Sequence, residues 1–501
     1  MNPRSNMPRV VSIAALVLML AIVASCGGER TPKLDAPSAG AGAATGSAAA
    51  PPSRAPSNEA ASPPAADLPM LDAAEITTRA KRVKRLFIFA LDGATWHIMT
   101  PLLDAGKMPN TARLIANGVR AELATIEPTL SPAIWTTIAT GVLPVRHGIH
   151  GFDGVPGMTM KTLPNSRMRK VKAYWNILAD FGRTTGTFCW WVTWPADDVG
   201  DGSFQVSDRV PYTRMEAAIR RAGLSPDDTY PPELIEKLSP LIERPNQIDP
   251  AIAAKFLKMS KTEMQETLLA ADYRMGDYLS EFKFVFQSDR STLKMALDLL
   301  KTQPVDIAAV YLTGIDTMSH LYWHWSYPEE FSRYQIPQAD IDKYKDVIPL
   351  YYELMDDYLG QLLKVVGSDA TVMILSDHGF GGTGKLPWSG GHGSITPGAP
   401  LAPPGVLVLS GPGIASGGAT LPGAHVLDIA PTILYLMGLP ASQEMTGRVI
   451  VEALAPGSPP ELPRVASYER VGRARTERDL PEDPAGDAER IERLRALGYI
   501  Q

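Results

Sequence analysis

Leu86-Phe87-Ile88-Phe89-Ala90-Leu91-Asp92-Gly93 is the stretch that decides the fold. Its six consecutive apolar residues show no alternation, and they stop abruptly at a carboxylate and a glycine. A short continuous run of this kind suits a strand buried on both faces. Similar runs recur at 307–312, 371–375 and 405–409, with helical periodicity between them, as in 132–140 and 351–366. Strands alternating with helices predict an α/β fold, a mostly parallel central sheet flanked by helices on both faces. In such sheets function gathers at the carboxyl ends of the strands. Three of the runs end at, or shortly before, an aspartate: Asp92, Asp316 and Asp377.

Working outward, the chain has 501 residues, 45% hydrophobic and 20% charged, enough for one large domain or two ordinary ones. The formal net charge of -6 argues against nucleic acid as a bulk electrostatic partner. It leaves room for small anionic substrates, because a local metal site overrides the global sign. The first residues carry Arg4 and Arg9, then an apolar run over 10–23, then Ala24-Ser25-Cys26. This pattern reads as an export signal over 1–26, too short for a comfortable membrane span. Val23-Ala24-Ser25-Cys26 resembles a bacterial lipobox, which implies acylation of Cys26 and a protein anchored in the periplasm or outer membrane through lipid alone. Residues 27–82 are rich in Ala, Pro and Ser and lack a periodic apolar pattern, so they read as a tether. The body is expected over 83–455. Within it, 212–300 is helical and polar, either an insertion that caps the site or a helical layer on the sheet. The tail, 456–501, ends in a short helix through Ile491, Leu494 and Leu497. The body has one thiol, Cys189, read as buried.

Several residues carry chemistry. Asp316 and His320 stand at i and i+4, which puts both on one helical face and within reach of one metal ion. His324 extends that row, but its neighbours Trp323 and Trp325 favour packing. Asp377 and His378 are adjacent, and adjacent residues on a strand face opposite ways. They can serve one site only if the chain leaves the strand, a turn that Gly379, Gly381 and Gly382 permit; a capping Asp beside a buried His is the other reading. Asp92, closing a buried strand, must be hydrogen-bonded or bound to a cation. His392 lies in the flexible stretch Ser389-Gly-Gly-His-Gly393. Ser131-Pro132 precedes the helical stretch, with Ser131 at the N-cap and Pro132 at the first helical position. A helix start favours anions, so it suits a serine alkoxide or a bound phosphoryl group. Thr129 is the nearest rival hydroxyl.

Taken in order, these motifs resemble the alkaline phosphatase superfamily, and within it the type I phosphodiesterase/nucleotide pyrophosphatase branch. The carriers are Phe89-Ala-Leu-Asp92-Gly93, Ser131 with Ala139-Thr140-Gly141, Pro144-x-x-His147-Gly148-Ile149, Asp316 with His320, Ser376-Asp377-His378-Gly379 and Gly391-His392-Gly393. The resemblance implies two divalent metal ions, zinc with manganese as the substitute. Asp92, Asp377 and His378 would hold one, with the Ser131 hydroxyl at its open position; Asp316, His320 and His392 would hold the other. It implies attack by Ser131, a phosphoseryl intermediate and a small phosphate-ester substrate, with phosphodiester or pyrophosphate bonds as first expectation. A phosphomonoesterase and a catalytically inactive binding module are the alternatives. One departure stands out: the position of a phosphate-binding Asn in that branch falls on Phe152, so Asp153 or a backbone amide would have to substitute. Trp194, with Trp190 and Trp191, either stacks on substrate or packs the core. Ser131-Pro132-Ala133 lacks the arginine a sulfatase would need.

Overall fold

The computed structural model describes residues 72–152, 163–212, 224–269, 274–386, 389–392, 402–472 and 484–496. Cys26, Asp153 and Leu497 lie outside them. The apolar run that opens the sequence argument is strand β1 (Arg85–Leu91), and Leu86 to Leu91 are each at most 2% exposed. It is the centre of a ten-stranded sheet. On one side β1 pairs in parallel with β6 (Ile307–Leu312), and on the other with β7 (Ala370–Leu375). The register sets Leu91 opposite Leu312 and Ala90 opposite Leu375. All three strands therefore end at one edge, where the three aspartate-bearing segments emerge.

Beyond β6 the sheet continues through β3 (Thr185–Phe188), β4 (Phe204–Val206) and β5 (Thr229–Tyr230). Beyond β7 lie β10 (Gly405–Ser410) and β2 (Gly118–Ala124), with the short β11 (Ala419–Thr420) and β12 (Ala424–His425) against β2. The sheet is mostly parallel; β10 runs antiparallel to both β7 and β2, and β5 antiparallel to β4. The apolar run at 405–409 announced a strand but carried no sign of its direction. Strand β2 alternates buried and exposed residues along its second half, as a strand near a sheet edge does, and so it does not read as a continuous run.

The stretch 212–300 belongs to the body at both ends. It supplies β5 at the sheet edge, and its last helix, α2 (Tyr278–Thr302), packs on β6, on α3 (Gly314–Ser326) and on α4 (Val347–Val366). It is therefore not a free-standing cap along its length. The body also begins before residue 83: the Arg79 and Arg82 amides donate to the Gly438 and Leu436 carbonyls. Helix α5 (Pro484–Ala496) buries Ile491 and Leu494 against Phe152 and Leu163, with Leu130 and Trp191 alongside. Arg209 pairs with Asp487 at 2.6 Å, and Arg493 donates to Glu281 Oε2 at 3.0 and 2.9 Å, tying α5 to α2. Cys189 is buried, and burial pushes its thiol up to about 12. Among the described residues no helix is long and apolar enough to cross a membrane.

Candidate metal centre

The chain leaves β7 at Ser376, and that departure lets the adjacent Asp377 and His378 side chains meet at 3.4 Å. Ser376 Oγ accepts from the Ala94 amide at 2.8 Å and donates to the His378 carbonyl at 2.8 Å, clamping the ends of β1 and β7 together. The Gly93 amide reaches Asp377 Oδ1 at 3.3 Å. Gly93 has φ +68, and a Cβ there would stand 3.1 Å from both Cα and Cβ of Asp316. A glycine is needed because two parts of the site close on each other at this point. Helix α3 starts just past β6, and its first amides are held from α2. Asp289 accepts from Thr313 N at 3.3 Å, Gly314 N at 3.0 Å and the Tyr351 hydroxyl at 2.8 Å. The i, i+4 spacing then turns Asp316 and His320 to the same point. His392 arrives from the hairpin of β8 (Gly381–Gly382) and β9 (Gly390–Gly391).

All six expected ligands are buried together. Asp316, His320 and His392 offer ligand atoms within 4.8 Å of one another, and so do Asp92, Asp316 and His378. Asp316 thus belongs to both groups, a position the sequence did not suggest, while Asp377, expected with Asp92 and His378, belongs to neither and meets the cluster through His378. His320 Nε2 lies 3.6 Å and His392 Nε2 3.9 Å from Asp316 Oδ1. His378 Nε2 lies 3.4 Å from both Asp92 Oδ1 and Asp377 Oδ2. Two of the imidazoles are oriented by backbone carbonyls: His320 Nδ1 by Gly390 at 3.1 Å and His378 Nδ1 by Gly379 at 3.0 Å. A carbonyl can only accept, so Nδ1 carries the hydrogen and Nε2 faces the cluster, the arrangement expected of a metal-binding imidazole.

The electrostatics of the cluster call for positive charge. Burial pushes the Asp92 carboxyl up, but the hydrogen bond and charge of His378, with donors from Tyr311 and Trp135, bring it below the ordinary range. Asp377 is driven well above that range by burial and by the Asp92 charge. Burial opposes protonation of His378, yet Asp377 and Asp92 raise it to about 10. His320 falls to about 3 through burial and the His378 charge, and His392 is lowered by the same causes. The His378 and His392 rings stack 4.0 Å apart, so both cannot be cations at once. A divalent cation among these groups would supply the positive charge that the carboxylates call for. Asp377 Oδ2 is buried without a hydrogen-bond donor among the described residues, and His378 Nε2 stands 3.4 Å from it and from Asp92 Oδ1. A set of carboxylate oxygens and imidazole nitrogens without thiolate fits zinc or manganese.

Ser131 opens helix α1 (Ser131–Thr140). The helix begins one residue earlier than the Ser-Pro pattern suggested: Leu130 is the cap, and Ser131 is the first helical residue. Its hydroxyl lies 3.4 Å from Asp92 Oδ1. One turn on, Trp135 Nε1 donates to Asp92 Oδ2 at 3.1 Å, and the Tyr311 hydroxyl donates to the same oxygen. Trp135, Tyr311 and Asp289 are the site residues that sequence reasoning missed. Thr129 is buried beside His392, which its backbone contacts. His324 turns away to Ser389 Oγ at 2.9 Å and packs on Trp325. Trp194 is buried under Arg209, whose guanidinium lies 3.2 Å from the ring centre. Phe152 is buried and meets Trp191 edge-on at 5.8 Å. His147 accepts from Ile149 N and bonds Thr137 Oγ1 at 3.0 Å; burial lowers it to about 3, and it braces the loop after α1.

Comparison with known proteins bears on this geometry. The model of the family described as type I phosphodiesterase / nucleotide pyrophosphatase matches residues 86–387, more than half of the chain. Over 103 residues the chain is 39% identical to the 2,3-bisphosphoglycerate-independent phosphoglycerate mutase of Cereibacter sphaeroides, which is 20% of this chain and 19% of that protein. The match thus spans about a fifth of the length of that curated relative. Among solved structures it is similar to the alkaline phosphatase PafA, with 12% identity and a TM-score of 0.47, covering 76% of this chain and 100% of that one. It is also similar to murine ectonucleotide pyrophosphatase / phosphodiesterase 5, with 10% identity and a TM-score of 0.42, covering 74% and 100%. The family match spans the positions of Asp92, Ser131, Asp316, His320, Asp377 and His378, and the chain belongs to the type I phosphodiesterase / nucleotide pyrophosphatase family of the alkaline phosphatase superfamily.

Proposed function

We propose that the protein is a two-metal phosphodiesterase in which Ser131 is the nucleophile. The observation that carries this reading is the Ser131 hydroxyl, 3.4 Å from Asp92 Oδ1 at the rim of a buried cluster of three carboxylates and three imidazoles. Asp92, Asp377 and His378 would hold one ion and Asp316, His320 and His392 the other, with Asp316 close enough to the first group to orient it. Two zinc ions, or manganese in their place, supply when bound the positive charge that lowers the pKa of a serine hydroxyl and neutralises the entering and leaving oxygens. The Ser131 oxygen forms a bond to phosphorus as the ester oxygen leaves; water then cleaves the phosphoseryl ester and restores the hydroxyl. The N-terminus of α1 favours the anion at this position.

The surroundings of Ser131 support a diester. A monoester dianion carries two charges, whereas a diester carries one charge and a second organic group. Leu130, next to Ser131, packs with Phe152 and Trp191 in an apolar cluster. Phe152 counts the other way: it falls where the resemblance implies a phosphate-binding Asn of the diesterase branch, so a phosphomonoesterase is the second reading. The export reading also remains a proposal: acylation at Cys26, tested by incorporation of a labelled fatty acid that Cys26→Ala abolishes. The hydrolase reading is tested by assaying a nitrophenyl monoester, the corresponding diester and a nucleotide diester on zinc-loaded protein. Preference for the diesters is expected; turnover of the monoester alone would replace this reading with a phosphomonoesterase, and no turnover of any with zinc bound would point to a binding module.

A further inference from the structure

Asp92 is gripped from behind by side chains that belong to no motif. Trp135 Nε1 and the Tyr311 hydroxyl both donate to Oδ2. Trp191 Nε1 lies 2.7 Å from the Tyr311 oxygen. An indole N–H can only donate. Tyr311 therefore accepts from Trp191, and its single proton is directed to Asp92. With Oδ2 filled, Oδ1 is the oxygen turned to Ser131 and His378, each at 3.4 Å. The rings interlock: Trp135 meets Tyr311 edge-on at 5.0 Å and Trp190 at 4.9 Å, and Trp190 Nε1 donates to the Trp135 carbonyl at 3.1 Å.

The loop that delivers Trp191 is strained. Cys189 has φ 58 and Val192 φ 63, both in the left-handed region, where a β-branched residue is a true outlier. The strain is held by neighbours: the Cys189 amide donates to the Val206 carbonyl at 2.8 Å and the Val192 amide to Asp208 Oδ2 at 2.9 Å. Strain that the surroundings over-determine is a feature of functional sites. Here it sets the two tryptophans against α1 and β6.

We propose that Tyr311, backed by Trp191, is a positioning residue that holds Asp92 so that only Oδ1 is presented to the cation and to Ser131. This rests on the reading of Asp92 as a metal ligand. The test is zinc binding to metal-free protein, by competition with a chromophoric chelator, for wild type, Tyr311→Phe, Trp191→Phe and the double variant, together with the visible spectrum of the cobalt(II)-loaded forms. Tyr311→Phe should weaken one zinc equivalent by roughly tenfold to a hundredfold, leave the other unchanged and alter the cobalt spectrum. Trp191→Phe should weaken the same equivalent by less, and should add nothing in the Tyr311→Phe background, because the relay is already cut. A merely structural role would leave the cobalt spectrum unmoved and make the two losses multiply. Wild-type affinity for both equivalents in Tyr311→Phe, or multiplicative losses, would overturn the proposal. Should Tyr311→Phe fail to fold, wild-type affinity in Trp191→Phe overturns it. Wild-type protein that binds no zinc overturns the metal reading itself, and so separates the two failures.

Discussion

Gly93→Ala strikes the point where the two halves of the site touch. Gly93 has φ +68, a conformation that costs a residue with a Cβ about 1–2 kcal/mol. The new methyl would also lie 3.1 Å from Cα and Cβ of Asp316 and 3.2 Å from its Oδ1. Forcing an extra carbon into packed surroundings of this kind costs a further 1–3 kcal/mol or so. A loss of about 2–5 kcal/mol is therefore expected. Gly106 is the internal control: its φ is +69, and nothing lies within 4 Å of its hypothetical Cβ. Gly106→Ala should show only the dihedral cost, and the entropy an alanine removes from the unfolded chain is common to both variants. The assay is urea unfolding of the metal-free proteins, followed by zinc titration. Asp316 belongs to both ligand groups, so Gly93→Ala should weaken both zinc equivalents. A Gly93→Ala protein as stable as Gly106→Ala, with unchanged zinc affinity, would refute the packing argument.

Three further outcomes are expected. Metal-free His378, raised to about 10, is a cation at neutral pH, so zinc must expel its proton. Affinity should rise with pH up to that value, and calorimetry in buffers of different ionisation enthalpy should count at least one proton released; none released would contradict the electrostatics. Asp289 is raised from 3.8 to about 7 by burial, which outweighs its hydrogen bonds to Tyr351, Thr313 and Gly314. The folded state therefore holds this proton more tightly than the unfolded state; its contribution to stability is full below about pH 4 and is lost as pH rises through about 7. Asp289→Asn should flatten that fall in the metal-free protein, and unchanged curvature would refute it. Phe152→Ala should cost about 3 kcal/mol, loosen α5 as measured by proteolysis of the tail, and raise KM for a diester more than it lowers kcat.

The residues that the fold gathers into the buried cluster stood out in the sequence because they break local patterns. Asp92 and Asp377 interrupt continuous apolar strands, Asp316 and His320 share a helical face, and His392 sits among glycines where packing has no use for it. The parallel core of the sheet was legible for the same reason: strands buried on both faces write continuous apolar runs. The residues behind the cluster were not. Trp135 and Tyr311 read as ordinary apolar positions of a helix and a strand, and only the pairing of β1 with β6 reveals that Tyr311 ends beside Asp92. Asp289 was hidden in a polar helical stretch, and its role depends on α2 lying against the start of α3. The tryptophan-rich segment shows the limit of composition: Trp190 and Trp191 brace the back of the site, while Trp194 stacks under Arg209. The direction of β10 depends on pairing partners far along the chain, which a run of apolar residues does not record.

The central claim is that a metal-activated Ser131 performs the chemistry, and Ser131→Ala with the metals counted tests it most directly. The hydroxyl is not needed to fold the cluster, because Asp92 keeps its donors from Trp135 and Tyr311. The variant should retain the zinc content of the wild type by elemental analysis while kcat for a diester falls by about a thousandfold or more. A Ser131→Ala protein that keeps its zinc and turns over diester at the wild-type rate would contradict the account.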